Sequence, residues 1–240
     1  MKYAIISDLH SNIEALEAVK ISIAKERVDA VVCLGDIVGY GANPSECVSM
    51  LKSMEPEVVL LGNHDDATVG RTDINYFNIN ARRAIIWTGG HIGDEEVKYL
   101  EGLPLVGRID GAVLVHSSLV DPSGWDYVLT ARAASRCFDF MEESICFIGH
   151  SHSPVVFGRE SYTVPDGEHV MVLEDGKHIV NVGSVGQPRD GDPRSRYLIY
   201  DSTGRTVSYR FVEYDVETAR EKIIQAGLPH ALGDRLLFGH

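Results

Sequence analysis

Five short clusters of Asp, His and Asn each follow an apolar run, and this repetition constrains the chain more than any other feature. In order they are Asp8-Leu9-His10, Gly35-Asp36, Gly62-Asn63-His64-Asp65, His116 and Gly149-His150-Ser151-His152. The runs before them, Tyr3 to Ile6, Ala30 to Leu34, Val58 to Leu61, Ala112 to Val115 and Ile145 to Ile148, read as strands. In open α/β sheets, ligands gather at the carboxyl ends of strands, so residues far apart in sequence can meet there. Carboxylates, imidazoles and one amide oxygen form a donor set for hard to borderline metal ions.

Each cluster alone has a plainer reading. Asp8 could cap a helix with His10 at the surface; Gly35-Asp36 could be a turn; Asn63 could form an Asx-turn; His116 could be an internally bonded core histidine. Five such clusters at five strand ends are harder to explain this way, because unpaired Asp and His are seldom placed there without a ligand. On an extended strand, residues two apart share a face, so Asp8 with His10, and His150 with His152, can approach one ion. Asp36 stands behind a glycine that permits a tight turn. Its carboxylate can bridge two cations, and Asn63 offers a neutral oxygen. Two divalent ions about 4 Å apart can activate water, polarise a phosphoryl oxygen and stabilise a leaving oxygen.

Residues 1–65 read as strand, helix, strand, helix, strand, which implies parallel strands with right-handed crossovers. Asn12 caps a helix starting near Ile13; Asn43 caps a second, with Pro44 in its first turn and Ser45 to Met54 forming it. Residues 66–111 hold no strong strand and read as a helical excursion, Asn80 to Thr88 and Asp94 to Leu103, that could overhang the site. A helix over Thr130 to Met141 separates the last two motif strands. Short strands follow, with Asp175-Gly176 signalling a hairpin between His169 to Leu173 and His178 to Val182. A final helix, Val216 to Ala226, is capped by Asp215 and closed by Gly227. With no repeat or linker, residues 1–240 are expected to form a single domain.

Acidic residues outnumber basic ones 35 to 22, giving a net charge of −13. That balance opposes a nucleic-acid-backbone binder but not a small phosphorylated substrate. No apolar stretch approaches the roughly 20 residues that span a bilayer, and the N-terminus lacks a signal-peptide core. A cytoplasmic protein with no membrane partner is expected. Cys33, Cys47, Cys137 and Cys146 lack metal or redox spacing and read as core thiols.

The ordered set D-x-H, G-D, G-N-H-D, H and G-H-S-H resembles the calcineurin-like metallophosphoesterase superfamily, and within it the small prokaryotic phosphoesterases of the YfcE-like group. The stretch from Asn181 to Arg194 resembles that group as well. The resemblance implies an α/β fold of two packed mixed β-sheets flanked by helices. It implies two divalent metal ions (Mn, Fe, Zn or Ni), one held by Asp8, His10, Asp36 and His152, the other by Asp36, Asn63, His116 and His150. A metal-bridging hydroxide would attack phosphorus in line, with His64 as proton or hydrogen-bond donor to the leaving group.

The chain departs from relatives in two places. Where protein phosphatases carry G-D-x-V-D-R-G, this chain has Gly39 and Tyr40 in place of the Asp and Arg, which disfavours a protein phosphatase. Ser11 stands where many relatives have Gly. Arg189, Arg194 and Tyr40 are weaker candidates for substrate contact, Arg194 and Arg189 being equally suited to structural salt bridges. Tyr40, Trp87 and Trp125 could stack on a ring or be core. The expected activity is hydrolysis of a small phosphomonoester or phosphodiester, possible nucleotides included. The alternatives are a non-catalytic metal-binding scaffold, disfavoured by the complete donor set and His64, and a nuclease, disfavoured by charge. Oligomeric state is left open.

Overall fold

Alternation decides the N-terminal strand: Tyr3 and Ile5 face one way, Ala4 and Ile6 the other, and all four are buried. The computed structural model describes residues 1–159 and 161–240. Strand β1 (Lys2–Ile6) leads into α1 (Ile13–Ile23), whose Asn12 cap accepts a hydrogen bond from Ala15 N at 3.1 Å, as expected. Strand β2 (Ala30–Cys33), α2 (Pro44–Ser53) and β3 (Val58–Val59) follow, and β1, β2 and β3 pair in parallel. Pro44 occupies the first turn of α2, but Asn43 does not cap it: the Asn43 amide donates to Glu46 Oε1 instead. Strand β3 is shorter than Val58 to Leu61. Leu60 N still reaches Cys33 O, but Leu61 N turns to Pro104 O at 2.8 Å as the chain enters α3 (Asn63–Thr68).

The excursion contains α4 (Ile79–Gly89) and α5 (Asp94–Glu101), and also a strand that the sequence does not betray, β4 (Val106–Ile109). Only Ile109 of β4 is buried, so it lacks the apolar alternation of a half-buried strand. It pairs antiparallel with β5 (Ala112–Val115). Helix α6 (Ala131–Cys137) is capped by Thr130 and gives way to a 3₁₀ turn before Met141, so the expected helix ends early. There follow β6 (Ile145–Ile148), β7 (Val155–Phe157), β8 (Tyr162–Thr163), β9 (Val170–Val172), β10 (His178–Asn181), β11 (Ser195–Asp201), β12 (Thr206–Val212), α7 (Val216–Gln225) and α8 (His230–Asp234). Asp215 caps α7 through Thr218 N.

The strands form two six-stranded mixed sheets, ordered β3-β2-β1-β11-β12-β9 and β4-β5-β6-β10-β7-β8. The hairpin expected at Asp175-Gly176 is absent. Strand β9 pairs with β12 in the first sheet, while β10 lies between β6 and β7 in the second. Gly176, at φ 122°, turns the chain from one sheet to the other. Burial overrides local turn chemistry here: Ile179, Val180 and Asn181 are interior, whereas Val170 and Val172 lie exposed on an edge.

The sheets face each other across one apolar layer containing Tyr3, Ile5, Val32 and Leu198 from the first and Leu114, Phe147 and Val180 from the second. The opposite faces are covered separately. Ala4, Ile6 and Cys33 meet α1 and α2, and Val113, Cys146 and Ile148 meet α6. All four cysteines are free and buried. Each fully buried aliphatic side chain contributes roughly 1.5–3 kcal/mol relative to exposure. This packing brings the carboxyl ends of β1, β2 and β3 in one sheet beside those of β5 and β6 in the other.

Candidate active site and metal centre

At these strand ends the backbone leaves extended geometry. Asp8, His10, Asp36, His150 and His152 all have positive φ, between 48° and 64°. The expectation that Asp8 and His10 share a face of an extended strand is therefore corrected: β1 ends at Ile6, and left-handed turns aim both side chains. Neighbouring backbone holds these turns, with Asp8 N donating to Gly35 O (2.9 Å) and His10 N to Asp36 O (3.0 Å). Left-handed geometry costs roughly 1–2 kcal/mol per non-glycine residue, and such strain gathers at sites where side chains must point in unusual directions. Two glycines make room. A Cβ on Gly62 would lie 2.1 Å from Asp36 Oδ1, and one on Gly149 would lie 2.6 Å from Asp8 Oδ2.

The side chains converge as two groups that share Asp36. Ligand atoms of Asp8, His10, Asp36 and His152 all lie within 4.8 Å of one another, as do those of Asp36, His116 and His150. Asp36 Oδ2 is 3.6 Å from His10 Nε2 and 3.4 Å from His116 Nε2; Asp8 Oδ1 is 3.2 Å from His152 Nε2. Asn63 Oδ1 joins the second group, 3.3 Å from His116 Nε2. All seven side chains are buried.

Backbone carbonyls dictate the tautomers. His10 Nδ1 faces Val38 O (3.2 Å), His116 Nδ1 faces Leu34 O (2.9 Å) and His152 Nδ1 faces Gln187 O (2.6 Å). A carbonyl only accepts, so each Nδ1 carries a proton and each Nε2 is the ring atom turned to the cluster, presenting a lone pair where the imidazole is neutral, as burial favours for His10 and His152. His150 is reversed, its Nε2 donating to Trp125 O (2.9 Å) and its Nδ1 left for the cluster. These four carbonyls are the functional groups sequence reading missed, since every residue has one. The consequence is a test of metal fit. His10 Nε2 and His152 Nε2 face each other at 3.0 Å with lone pairs on both. Asp8 Oδ1 beside them is buried without a hydrogen-bond donor. This donor set fits a divalent metal.

The charges act the same way. Burial opposes ionisation of Asp8 and Asp36, yet the surrounding histidines, His152 on Asp8 and His116 on Asp36, hold both below the usual carboxylate range. Burial lowers His10, His64 and His150, the last two to about 4 and about 3, and so favours neutral imidazoles. Burial alone would also lower His116, but the Asp36 and Asp8 carboxylates raise it to about 9.

His64 lies in the first turn of α3 beside this cluster, its backbone N donating to Asp36 Oδ1 at 2.8 Å. Its ring lies 4.9 Å from that of His10 and 4.3 Å from that of Tyr40. His64 Nδ1 is buried and unpartnered, facing Gly39, where a Cβ would come within 2.5 Å. Among the described residues, no carboxylate bonds this Nδ1. Asp65 is fully buried and ties two site loops together, accepting Val38 N (3.0 Å) and Gly62 N (3.1 Å). Arg189 joins the cluster's edge, donating to Tyr40 Oη (3.4 Å), with its guanidinium 5.7 Å from the Tyr40 ring centre. Arg194 does not join it: its Nε donates to Asp192 at 3.0 Å and its guanidinium lies over Phe211. Asp190 and Asp192 also hold Arg196, which is 1% exposed, at 3.0 Å each. That ion cluster fixes the loop bearing Gln187 and Arg189.

A cleft of about 720 Å³ opens beside Asn63 and His64. Its walls come from the start of the excursion, including Arg71, Tyr76, Phe77 and Asn78, and from Trp125 and Tyr127. Trp125 Nε1 donates to Thr72 Oγ1 (3.1 Å) and Thr72 Oγ1 to Asp66 Oδ2 (2.6 Å), joining the walls. Helix α5 does not overhang; it packs Leu100 against the helical layer of the first sheet. Trp87 stacks on His91 away from this cleft.

Comparison with known proteins agrees with this geometry. Residues 1–205 match the Calcineurin-like phosphoesterase superfamily domain. An uncharacterized protein of Methanocaldococcus jannaschii is 39% identical over 240 residues, covering 98% of this chain and 97% of its own. The structure of a metallophosphoesterase from Sphaerobacter thermophilus superposes with a TM-score of 0.90 at 39% identity, over 100% of this chain and 99% of that one. A hypothetical protein from Pyrococcus horikoshii shares the fold, with a TM-score of 0.83 at 19% identity over 100% and 98% of the two chains. The chain therefore belongs to the calcineurin-like phosphoesterase superfamily, whose members are metal-dependent hydrolases of phosphoric esters.

Proposed function

We propose that this protein, folded as one domain, binds two divalent metal ions (Mn, Fe, Zn or Ni) and hydrolyses a small phosphomonoester or phosphodiester. Asp8, His10, Asp36 and His152 would hold one ion; Asp36, Asn63, His116 and His150 would hold the other. The observation that carries this reading is the facing of His10 Nε2 and His152 Nε2 at 3.0 Å, with both Nδ1 atoms committed to carbonyls. When bound, the ions would supply Lewis acidity toward phosphoryl oxygens and lower the pKa of water.

The chain's own residues supply the rest. The carbonyls of Leu34, Val38, Gln187 and Trp125 fix the imidazoles, so little reorganisation remains when ligands arrive. Asn63 adds a donor without adding charge. His64 lines the cleft, and with Nδ1 enclosed by Gly39, its Nε2 is the ring atom left to meet a substrate. There it would donate a proton or hydrogen bond to the leaving oxygen, a role worth roughly 10²–10⁴ in rate. The cleft has the volume of a small-molecule site, and its aromatic walls suit a leaving group bearing a ring, a nucleotide among them.

The test is hydrolysis of p-nitrophenyl phosphate and bis-p-nitrophenyl phosphate by metal-stripped protein, with Mn, Zn, Ni, Fe or Mg restored singly. Turnover that returns with metal and is lost in His64→Ala supports the reading. Bound metal without turnover on either ester would favour a non-catalytic scaffold.

A further inference from the structure

Of the four carbonyls that orient the cluster imidazoles, three belong to residues whose own backbone N–H is anchored. Leu34 N donates to Ile6 O (2.9 Å), Val38 N to Asp65 Oδ1 (3.0 Å) and Gln187 N to Ser184 Oγ (2.9 Å). Trp125 is held differently. It lies between β5 and α6, where the chain forms neither helix nor strand. Its φ is 56°, a conformation that costs roughly 1–2 kcal/mol for a residue other than glycine. Among the described residues, its backbone N–H has no hydrogen-bond partner; its indole Nε1 donates instead to Thr72 Oγ1 at 3.1 Å. Yet Trp125 O is the group that accepts from His150 Nε2, at 2.9 Å.

The bond to Thr72 continues further. Thr72 Oγ1 donates to Asp66 Oδ2 at 2.6 Å. A hydroxyl can accept and donate at once, and Thr72 uses both capacities. Asp66 belongs to α3 and stands three residues after Asn63, on the same side of that helix. An unbroken path therefore runs from Asn63 through α3, Asp66, Thr72 and Trp125 to His150. Its two ends, Asn63 and His150, are donors assigned to the same ion. Its middle members, Thr72 and Trp125, line the cleft beside the cluster. Tyr127, also in that wall, stacks on His150 with ring centres 4.1 Å apart and 13° between the planes. Stacking limits the tilt of the imidazole, and the hydrogen bond to Trp125 O limits its rotation within the plane.

We infer that Thr72 and Trp125 are positioning residues for the second metal site, a latch in the cleft wall that holds His150 Nδ1 toward the ion shared with Asp36, Asn63 and His116. Neither side chain offers a donor atom to that ion; both act through the Trp125 carbonyl. Losing the partner that holds a ligating histidine typically changes metal affinity about 10–100-fold. The latch serves one donor group and not the other, because His10 and His152 are held by Val38 O and Gln187 O. Its loss therefore falls on one ion. The inference rests on the proposed two-metal reading.

The experiment is calorimetric titration of the metal-stripped full chain with Mn, in wild type, Thr72→Val, Thr72→Ser and Trp125→Phe, with thermal unfolding of the metal-free proteins as the folding control. Thr72→Val keeps the shape and loses both hydrogen bonds; Trp125→Phe keeps a ring and the carbonyl and loses the indole N–H. The expected result in both is a second ion bound about tenfold more weakly and a first ion within about threefold of wild type, with Thr72→Ser close to wild type. Combining Thr72→Val with Trp125→Phe adds little more, because both cut one path. Turnover of p-nitrophenyl phosphate falls at limiting Mn and returns at saturating Mn. Were Thr72→Val not to fold, Trp125→Phe decides the question. Equal weakening of both ions, as general loosening of the fold would give, overturns the latch. So does a turnover loss that persists at saturating Mn with unchanged metal binding, as a direct substrate contact would give. Two ions held equally well by wild type and all variants overturn the latch alone; fewer than two ions in saturated wild type overturn the two-metal reading and the latch with it.

Discussion

Asp65→Asn isolates the scaffold from the chemistry, because Asp65 contributes no atom to the donor set. Its two oxygens accept Val38 N and Gly62 N at 3.0 and 3.1 Å, joining the loop that carries Asp36 to the turn that carries Asn63. An asparagine keeps one acceptor and turns an NH₂ group toward the other backbone N–H. One hydrogen bond to a carboxyl pushed up to about 8 is lost, worth about 0.5–1.5 kcal/mol, and a buried N–H is orphaned at about 1–3 kcal/mol more. An opposing effect exists. Burial and the nearby Asp36 charge push the Asp65 carboxyl up, so removing the charge relieves some repulsion. The net expectation is a loss of roughly 2–4 kcal/mol, and at about 2–4 °C per kcal/mol for a chain of this size, a Tm lower by roughly 4–16 °C. Urea and thermal unfolding of metal-free protein measure this directly. A variant within about 0.5 kcal/mol of wild type would refute the claim that Asp65 anchors the two loops.

Other consequences follow from the same geometry. His64→Ala should lower kcat by roughly 10²–10⁴ while leaving metal content unchanged by elemental analysis; a parallel loss of metal would mean that His64 is structural. Gly39→Ala places a Cβ 2.5 Å from His64 Nδ1 at a position with φ 94°, so activity should fall along with about 1–2 kcal/mol of stability; a fully active, equally stable variant would contradict that packing. Arg196→Met leaves Asp190 and Asp192 without their buried partner and should cost about 3–5 kcal/mol by denaturant titration. In metal-free protein His64 and His150 have folded values of about 4 and about 3, below the ordinary histidine range near 6.5. The unfolded state therefore binds more protons in acid. Stability present above pH 6.5 should fall as pH drops from about 6.5 toward 4, by up to about 2.7 kcal/mol per pH unit for the two groups together. Urea midpoints that stay flat across that window would contradict neutral, buried imidazoles.

Side-chain chemistry was legible in the sequence, and backbone chemistry was not. The donor set stood out because Asp, His and Asn interrupt apolar strands, and the structure gathers Asp8, His10, Asp36, Asn63, His116, His150 and His152 together. The route was misread: left-handed turns, not strand alternation, bring Asp8 beside His10. The carbonyls of Leu34, Val38, Gln187 and Trp125 left no trace in residue types. Strand β4 stayed hidden because Val106–Ile109 buries one residue of four. Asp175-Gly176 misled because turn chemistry reports a reversal but not which sheet the chain enters next.

The most direct test of the shared-carboxylate centre is metal stoichiometry in wild type and Asp36→Asn, by elemental analysis after loading with Mn and removal of free ion. The account predicts two ions per wild-type chain, and at most one, weakly held, in the variant, because Asp36 belongs to both groups of donors. Two tightly bound ions in Asp36→Asn, or a single ion in wild type at saturation, would contradict it.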